Sequence, residues 1–373
     1  MNPKRGKVFL GDVCTKGSSN ISQNSLKNYI GKYPIFGASG LIKNVDFYKQ
    51  ENEYIAIVKD GAGIGRTMIL PAKSSVISTM QYVLPKKSVN IKYLYYAITA
   101  MNLSKYYSGS TIPHIYFRDY QKETFFLPSL NEQLCIVKTL DAIDYLLKTR
   151  KKQINALNLL VKSRFIEMFG DPVTNPMGWE MKRLDQISDT RLGKMLDTKK
   201  QTGGNRYPYL ANFNVQWFRF DLEELNKMDF DEADRAEFAL EYGDLLVCEG
   251  GEVGRTAIWK NERQDCFFQK AIHRVRCHQN TCIPEYLAWG IYQKAITTKF
   301  DGLITSATIA HLTGEKLKGL IMQVPPLSLQ NRFAEFVQQV DKSKFVMIKN
   351  LTMYDWKDIL NMHVWQSLMR RTA

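Results

Sequence analysis

The sequence predicts an α+β protein made of two mixed α/β globular units, each followed by a long helix. The two helices are expected to pack as an antiparallel coiled coil with pseudo-two-fold symmetry. Three observations predict this fold: an internal duplication, a heptad seam, and short apolar runs ended by glycine or proline. The expected segments are a first unit at 1–130, a helix at 131–170, a linker at 171–178, a second unit at 179–328, and a second helix at 329–373 that diverges after about 354.

The duplication has a long period. The string Thr-Ile-Pro-His at 111–114 recurs as Thr-Ile-Ala-His at 308–311, an offset of 197. The glycine-rich string at 61–67 resembles 250–256 at an offset of 189. Because the offset differs between motifs, insertions separate two copies of one unit, and 373 residues are enough for two or three domains.

A heptad seam follows the first unit. Apolar residues alternate at spacings of four and three with no Gly or Pro before Gly170, which predicts a coiled-coil helix of roughly 50 Å. The first seam consists of Ile136, Leu140, Ile143, Leu147, Ile154, Leu157 and Val161. The second seam, 197 residues later, includes Phe333, Val337, Val340 and Leu351. Lys344 and Asp358 stand where the first seam has Leu147 and Val161, so we expect the distal second helix to pair less well.

Within each unit, short apolar runs bounded by turn residues predict strands, and apolar residues at helical spacing predict one helix. In the first unit the expected strands are 54–58, 67–70 and 81–84, and the expected helix is 89–103. In the second unit the expected strands are 244–248 and 256–259, and the expected helix is 284–297. Each unit therefore has more strand than helix.

The charge distribution favours a polyanionic partner. The chain carries a formal net charge of +14, and residues 1–131 hold 17 Lys and Arg against 7 Asp and Glu. Residues 175–328 hold 20 against 21, so the excess belongs mainly to the first unit. Double-stranded nucleic acid is the expected partner. No apolar run approaches 18 residues and the N-terminus lacks a signal sequence, so we expect a cytoplasmic protein without a membrane segment and with six reduced cysteines.

The motifs argue against chemistry in this chain. The glycine-rich strings lack the Walker A lysine, and Gly63 and Gly65 are too close for a dinucleotide fingerprint, so a tight turn between strands is the simpler interpretation. His273, Cys277, His278 and Cys282 have zinc-ligand residue types but poor spacing and no counterpart in the first unit. Neither a methyltransferase loop nor a shared nuclease carboxylate cluster is present, so we expect no metal, no cofactor and no catalytic residue.

The candidate DNA contacts are cations and motif residues. The two recurring Thr/His pairs are interpreted either as structural residues that hold a turn or as DNA contacts, and catalysis is not expected of them. Arg66 and Arg255, each followed by Thr, are candidates for phosphate contacts. The full candidate set is Lys43, Lys59, Arg66, Thr67, Thr111, His114, Lys199, Lys200, Arg206, Arg219, Arg255, Thr256, Thr308 and His311.

Several strings together resemble a known family. They include Leu-Pro-Ser-Leu-Asn-Glu-Gln at 127–133, the run 162–172 at the end of the first helix, Val-Pro-Pro-Leu-Ser-Leu-Gln at 324–330, and Gly-Asp-Leu-Leu-Val at 243–247. With the duplication and the two long helices, the chain resembles the specificity subunit of type I restriction-modification enzymes. The likeness covers residues 7–346.

This resemblance implies two target-recognition domains, each reading one half of a bipartite DNA sequence, held apart by the helices. It also implies two modification (methyltransferase) subunits that methylate adenine with S-adenosylmethionine, and restriction/translocase subunits that use ATP and Mg. The chain itself would then be a non-catalytic subunit of an adenine-specific methyltransferase and ATP-dependent endonuclease. Two alternatives are a solitary enzyme, such as a fused methyltransferase or nuclease, and a phage or scaffold protein that uses the helices for assembly only.

Overall fold

The computed structural model describes residues 6–109, 112–197, 201–298, 300 and 311–352, with the side chains of 349–352 left out. The chain divides into two compact units, residues 1–151 with 348–373 (unit 1) and residues 152–347 (unit 2). Among the described residues, no helix is long and apolar enough to cross a membrane. The predicted Thr111, Lys199, Lys200 and Thr308, and the side chain of Leu351, lie outside the described part of the chain.

The described part of unit 1 contains nine short strands and three short α-helices before the first long helix. In chain order they are β1 (Lys7–Phe9), α1 (Leu10–Val13), β2 (Cys14–Ser18), β3 (Tyr33–Gly37), β4 (Gly40–Val45), β5 (Tyr54–Val58), β6 (Thr67–Leu70), β7 (Ser75–Val76), β8 (Met80–Pro85), α2 (Ile91–Ala100), α3 (Phe117–Tyr120), β9 (Thr124–Phe126) and α4 (Leu130–Phe169). The strands predicted at 54–58 and 67–70 have these bounds, and the helix predicted at 89–103 is shorter at both ends.

The sheets of unit 1 place β5 at the centre. A four-stranded sheet has the order β2-β8-β5-β6, and a three-stranded sheet has the order β4-β3-β7. All five residues of β5 are buried, which explains why its sequence is a continuous apolar run. Helix α2 covers this sheet, and the side chain of Asn90 caps it by accepting hydrogen bonds from the backbone N–H groups of Lys92 and Tyr93 at 3.0 and 3.2 Å.

Unit 2 repeats this arrangement with insertions. Its elements are β10 (Glu180–Arg183), α5 (Leu184–Ile187), β11 (Ser188–Leu192), β12 (Arg206–Leu210), β13 (Val215–Gln216), β14 (Arg219–Phe220), β15 (Asn226–Asp229), α6 (Glu232–Glu237), β16 (Leu245–Cys248), β17 (Thr256–Ile258), β18 (Phe267–Phe268), β19 (Ile272–Cys277), α7 (Pro284–Thr297), α8 (Gly314–Lys318), β20 (Ile321–Val324) and α9 (Leu327–Thr352).

The duplication predicted from sequence is visible in the sheet order. The sheet β11-β19-β16-β17 repeats β2-β8-β5-β6, and β15-β12-β18 repeats β4-β3-β7. The small antiparallel pair β1-β9 likewise has the counterpart β10-β20. The hairpin β13-β14 and helix α6 have no counterpart among the described elements of unit 1, so they are insertions in the second copy.

Helix α4 begins and ends at defined local signals. Ser129 and Glu132 form a capping box, in which the Glu132 carboxylate accepts from the Ser129 backbone N–H at 2.8 Å. At the other end, Gly170 has a φ of +77° and donates its N–H to the Ile166 carbonyl at 2.8 Å, an arrangement that closes the helix before Pro172. The helix therefore spans 40 residues without interruption.

In unit 2 the C-terminal part of α4 packs against α9. The rings of Phe169 and Phe333 are 5.4 Å apart, and the Arg164 guanidinium lies 6.0 Å from the Phe336 ring. The earlier residue of α4 therefore contacts the later residue of α9, so the two helices are antiparallel. This agrees with the predicted fold class.

The predicted seam does more than join two helices. Ile136 and Leu140 are buried in the core of unit 1 together with residues of α2. Val161, Phe333, Val337 and Val340 are buried in the core of unit 2 together with residues of α7 and α8. The middle of the seam is half-buried, at Ile143, Leu147, Ile154 and Leu157. The ends of the long helices therefore belong to the globular cores, a role that heptad spacing alone did not predict.

Candidate nucleic-acid interface

In unit 1 the glycine-rich string forms a tight connection between β5 and β6. The N–H of Gly65 donates to the Val58 carbonyl at 2.8 Å, and the N–H of Val58 donates to the Arg66 carbonyl at 2.9 Å. Gly61 and Gly65 have φ values of +89° and +79°, which favour glycine. The Arg66 guanidinium donates to the Ala38 carbonyl at 3.0 Å. The structural interpretation of this string as a turn is therefore confirmed.

Unit 2 builds the equivalent connection between β16 and β17. Gly254 donates to the Cys248 carbonyl at 3.0 Å, and Cys248 donates to the Arg255 carbonyl at 2.8 Å. The Arg255 guanidinium donates to the Asn212 carbonyl at 2.6 Å. In both units the recurring arginine thus holds a neighbouring loop through a backbone carbonyl. Burial raises the pKa of Cys248 to about 11, so this thiol stays protonated and unreactive at neutral pH.

The recurring histidines lie next to these turns. In unit 1, His114 pairs with the Asp60 carboxylate and contacts Tyr116, with ring centres 4.1 Å apart and ring planes tilted by 59°. The Arg118 guanidinium lies 4.7 Å from the centre of the same Tyr116 ring, so the three side chains form a cation–aromatic cluster. In unit 2, His311 is exposed, and the N–H of the following Leu312 donates to the Glu249 carbonyl at 2.8 Å.

We call the turn and the histidine segment that lies against it the recognition face of each unit. In unit 1 it comprises 59–66 and 112–118, and in unit 2 it comprises 249–255 and 311–312. Tyr116 and Arg118 were not among the sequence-based candidates, and the structure places both in this face. The signal that could have found them is aromatic and cationic residues alternating beside a recurring motif.

The other predicted contacts have different environments. The ammonium group of Lys43 donates to the Leu26 carbonyl at 3.0 Å, and the Arg206 guanidinium donates to the Lys227 carbonyl at 3.2 Å. Arg219 is exposed on β14. Thr67 and Thr256 are buried, with exposed fractions of 8% and 0%, because helices α2 and α7 pack against β6 and β17, the strands that these residues begin. Their side chains are not presented to a phosphate in this conformation.

Asp229 holds the segment that leads into β12 of unit 2. Its carboxylate accepts hydrogen bonds from the backbone N–H of Gly203 at 2.7 Å and from the N–H and hydroxyl of Thr202. The bond from Gly203 is the largest reason why the pKa of this carboxyl is lowered. Arg206 begins the next strand, so the charged Asp229 holds the chain at the entrance to β12.

Two glutamines join the long helices to the globular parts of the two units. Gln133 accepts from the Asn90 N–H at 2.7 Å and donates to the carbonyls of Ser88 and Pro128 at 3.2 and 2.9 Å. Gln330 makes the corresponding three bonds, to the Ile283 N–H and to the carbonyls of Thr281 and Pro325. Both side chains are fully buried. The recurring glutamine thus acts as a structural clamp: it joins α4 to the loop before α2 in unit 1, and α9 to the loop before α7 in unit 2.

The zinc interpretation of the second unit can be examined directly. His273 is buried within β19, and burial lowers the pKa of its imidazole to about 4. Among the described residues, no group of three or more His, Cys, Asp or Glu side chains is placed to hold a metal ion.

Comparison with known proteins decides the family. The sequence profile of the type I restriction modification DNA specificity domain matches the chain twice, over residues 4–159 and 176–352. The chain belongs to this family. It is a type I restriction-modification specificity subunit with two target-recognition domains, as the motifs and duplication predicted.

Relatives of the specificity subunit span most of its length. A Haemophilus influenzae protein named as a type I restriction enzyme specificity subunit is 23% identical over 323 residues, covering 83% of this chain and 80% of that protein. The MjaVIII specificity subunit of Methanocaldococcus jannaschii is 21% identical over 322 residues, covering 80% and 75%. The S subunit structure from M. genitalium shares the fold with a TM-score of 0.56 at 16% identity, covering 95% and 94% of the two chains.

Proposed function

We propose that this specificity subunit has no catalytic role of its own and that each recognition unit reads one half of a bipartite double-stranded DNA target. The observation that carries the proposal is the repetition of the recognition face with different side chains. The same backbone hydrogen bonds recur in both units, but the side chains differ. Tyr116 and Arg118 follow His114 by two and four residues in unit 1, whereas Thr313 and Glu315 follow His311 at the same spacings in unit 2. A shared backbone arrangement that carries different side chains is expected of two domains that read different half-sites.

We further propose that the long helices set the spacing of the two half-sites and dock two modification subunits. Apolar side chains exposed on the described part of the helices support this role. On α4, Leu159 and Leu160 are 61% and 48% exposed, and on α9, Phe345 and Val346 are 69% and 59% exposed. Exposed apolar side chains on a helix are typical of surfaces that a partner protein covers.

The cofactors of the proposed complex would be held by its other subunits. S-adenosylmethionine would belong to the modification subunits, and ATP and Mg to the restriction/translocase subunits. The sequence supports this division because neither glycine-rich turn has the lysine that a nucleotide-binding loop needs, and no loop of the methyltransferase type is present.

The deciding experiment maps methylated adenines in the source genome with and without the gene for this chain. We expect one bipartite motif to lose its methylation when the gene is deleted and to regain it when the gene is restored. An unchanged methylation pattern would contradict the proposal. The purified chain alone should neither methylate nor cleave DNA, and activity without other subunits would favour a solitary enzyme instead.

A further inference from the structure

The recognition faces of the two units can be superposed residue by residue through their hydrogen bonds. In unit 1 the N–H of Ile115 donates to the carbonyl of Lys59 at 3.0 Å, and in unit 2 the N–H of Leu312 donates to the carbonyl of Glu249 at 2.8 Å. Ile115 and Leu312 are the residues that follow the recurring histidines. Lys59 and Glu249 each follow directly after a central strand, β5 or β16. They therefore occupy the same position in the two copies.

Sequence comparison alone pairs different residues. Counting back from the recurring arginine places Glu249 opposite Asp60, which would suggest the same charge in both units. The connection in unit 2 is one residue shorter, however, so the hydrogen bonds place Glu249 opposite Lys59. The side chains of Lys59 and Glu249 are 26% and 22% exposed. Opposite charges thus reach solvent from one position of the fold.

The surroundings of Glu249 leave its acceptor capacity unused. Its carboxylate lies 3.7 Å from Nε2 of His273, whose side chain is only 1% exposed. The imidazole is hydrogen-bonded to the backbone of Leu312, and burial lowers its pKa to about 4, so it is neutral at pH 7. Within the described residues, Nε2 has no hydrogen-bond partner. Since the imidazole proton serves the bond to Leu312, two acceptors face each other at this position without a donor between them.

At the equivalent position of unit 1 the side chain has a donor. The residue in register with His273 is Gln81. His273 pairs with the next-to-last residue of β16, and Gln81 pairs with the next-to-last residue of β5. The Gln81 side-chain oxygen accepts a hydrogen bond from the Tyr120 hydroxyl at 2.8 Å. Lys59 brings donors to the face; its ammonium group lies 3.7 Å from the Asp60 carboxylate, which also pairs with His114, and the Arg118–Tyr116 pair belongs to the same face. At the equivalent position, therefore, one face carries a donor and the other an acceptor.

We propose that Lys59 and Glu249 are specificity-determining residues at equivalent positions of the two recognition units. Lys59 donates to the acceptor edge of guanine in one half-site. Glu249 accepts from the exocyclic amino group of cytosine or adenine in the other. A carboxylate at a DNA-binding surface is repelled by phosphates, so its place there is explained by a base amino group that donates to it. This inference rests on the proposed function.

The test uses the complete complex of this chain with its modification subunits. Wild-type and variant complexes are incubated with a pool of duplexes in which the target positions are randomised, and the bound DNA is sequenced. The variants are Lys59→Gln, Glu249→Gln and Glu249→Lys. Matched controls are Lys87→Gln and Glu180→Gln, which remove exposed charges outside the recognition faces.

Glu249→Gln should lower discrimination at one base pair of a single half-site by about tenfold to a hundredfold. The base that the wild-type complex prefers at this position shows whether Glu249 accepts from cytosine or from adenine. Glu249→Lys should shift that preference toward guanine, and Lys59→Gln should affect the other half-site only. If Glu249→Lys fails to fold, the nearly isosteric Glu249→Gln still decides the question.

Two results would overturn the inference while leaving the proposed function intact. One is wild-type discrimination at every position in both Gln variants. The other is an equal loss of affinity for all sequences, which marks a phosphate contact rather than base reading. A wild-type complex without any sequence preference would instead contradict the proposed function itself.

Discussion

At the scale of single residues, the two buried glutamines explain how a long helix is fixed to a globular unit. Gln330 satisfies one backbone donor and two backbone carbonyls at the start of α9. Its replacement by Leu keeps the volume but leaves these groups without partners. Gln330→Leu should destabilise unit 2 by about 2–4 kcal/mol. Thermal unfolding would measure the loss.

Gln339→Leu is a suitable control for this change because Gln339 is exposed on the same helix. It should alter stability by less than about 0.5 kcal/mol. Similar unfolding curves for Gln330→Leu and the wild type would show that the clamp contributes little.

His273 should make the stability of unit 2 depend on pH. Its folded-state pKa is about 4, below the ordinary value of 6.5, because burial disfavours the charged imidazole. Between these two values the unfolded chain binds more protons, so stability falls as pH falls from about 6.5 toward 4. The loss between pH 7 and 4.5 should be on the order of 2.5 kcal/mol.

His273→Gln, which introduces the residue found at this position in unit 1, should remove most of that pH dependence. Denaturant unfolding at several pH values measures the effect. His278→Gln should preserve it, since His278 has a side chain that is 40% exposed. A pH dependence that is equal in both variants would assign the effect to other groups.

At the scale of elements, the glycine-rich connection of unit 1 depends on two different properties of glycine. Gly65 has a φ of +79°, and a Cβ there would lie 2.7 Å from the backbone nitrogen of Ser104. Gly61 has a φ of +89° but open space around it. Gly61→Ala should therefore cost about 1 kcal/mol through backbone strain alone, whereas Gly65→Ala should cost at least about 2 kcal/mol more. Unfolding midpoints of the two variants test this ranking, and equal costs would contradict it.

The contact between α4 and α9 depends on aromatic packing in unit 2. Phe333 is fully buried, with ring centres 5.5 Å from Phe165 and 5.4 Å from Phe169. Phe333→Ala should destabilise unit 2 by about 3–5 kcal/mol, because it removes a large side chain and leaves a cavity.

Phe345→Ala on the same helix provides the comparison, since that ring is 69% exposed. It should change stability by less than about 0.5 kcal/mol and should instead weaken association with the modification subunits. Calorimetric unfolding and co-purification separate the two effects. Unchanged association would argue against a docking role for this part of α9.

At the scale of the whole molecule, the two units differ in net charge. Residues 1–131 carry ten more basic than acidic side chains, whereas residues 175–328 are nearly neutral. Phosphate contacts release counterions, so we expect unit 1 to supply most of the salt dependence. Arg118→Gln should reduce the slope of log affinity against log salt by about one without changing sequence preference. Binding assays with the complex at several salt concentrations measure this slope.

Arg332→Gln, an exposed change on α9 outside the recognition faces, should leave the slope unchanged. An equal reduction in both variants would mean that net charge, rather than a phosphate contact of Arg118, controls binding.

The sequence by itself determined the duplication, the long helices and the tight turns. Strand β5 and helix α7 have the predicted bounds because their apolar patterns are local and continuous. The short strand β2 was not predicted, since its sequence is polar and four of its five residues lie at or near the surface. Its pairing with β8 depends on residues more than sixty positions away.

Only the tertiary structure decided which side chains meet at the recognition faces. A loop shortened by one residue shifts Glu249 into register with Lys59, and the partners that reveal this, Ile115 and Leu312, are about sixty residues away in sequence. Thr256, a candidate contact from its motif, is buried although its strand β17 lies at the edge of the sheet, because helix α7 and the β13-β14 hairpin pack against that strand. Local periodicity specifies an element, but the register and burial of its side chains depend on long-range pairing.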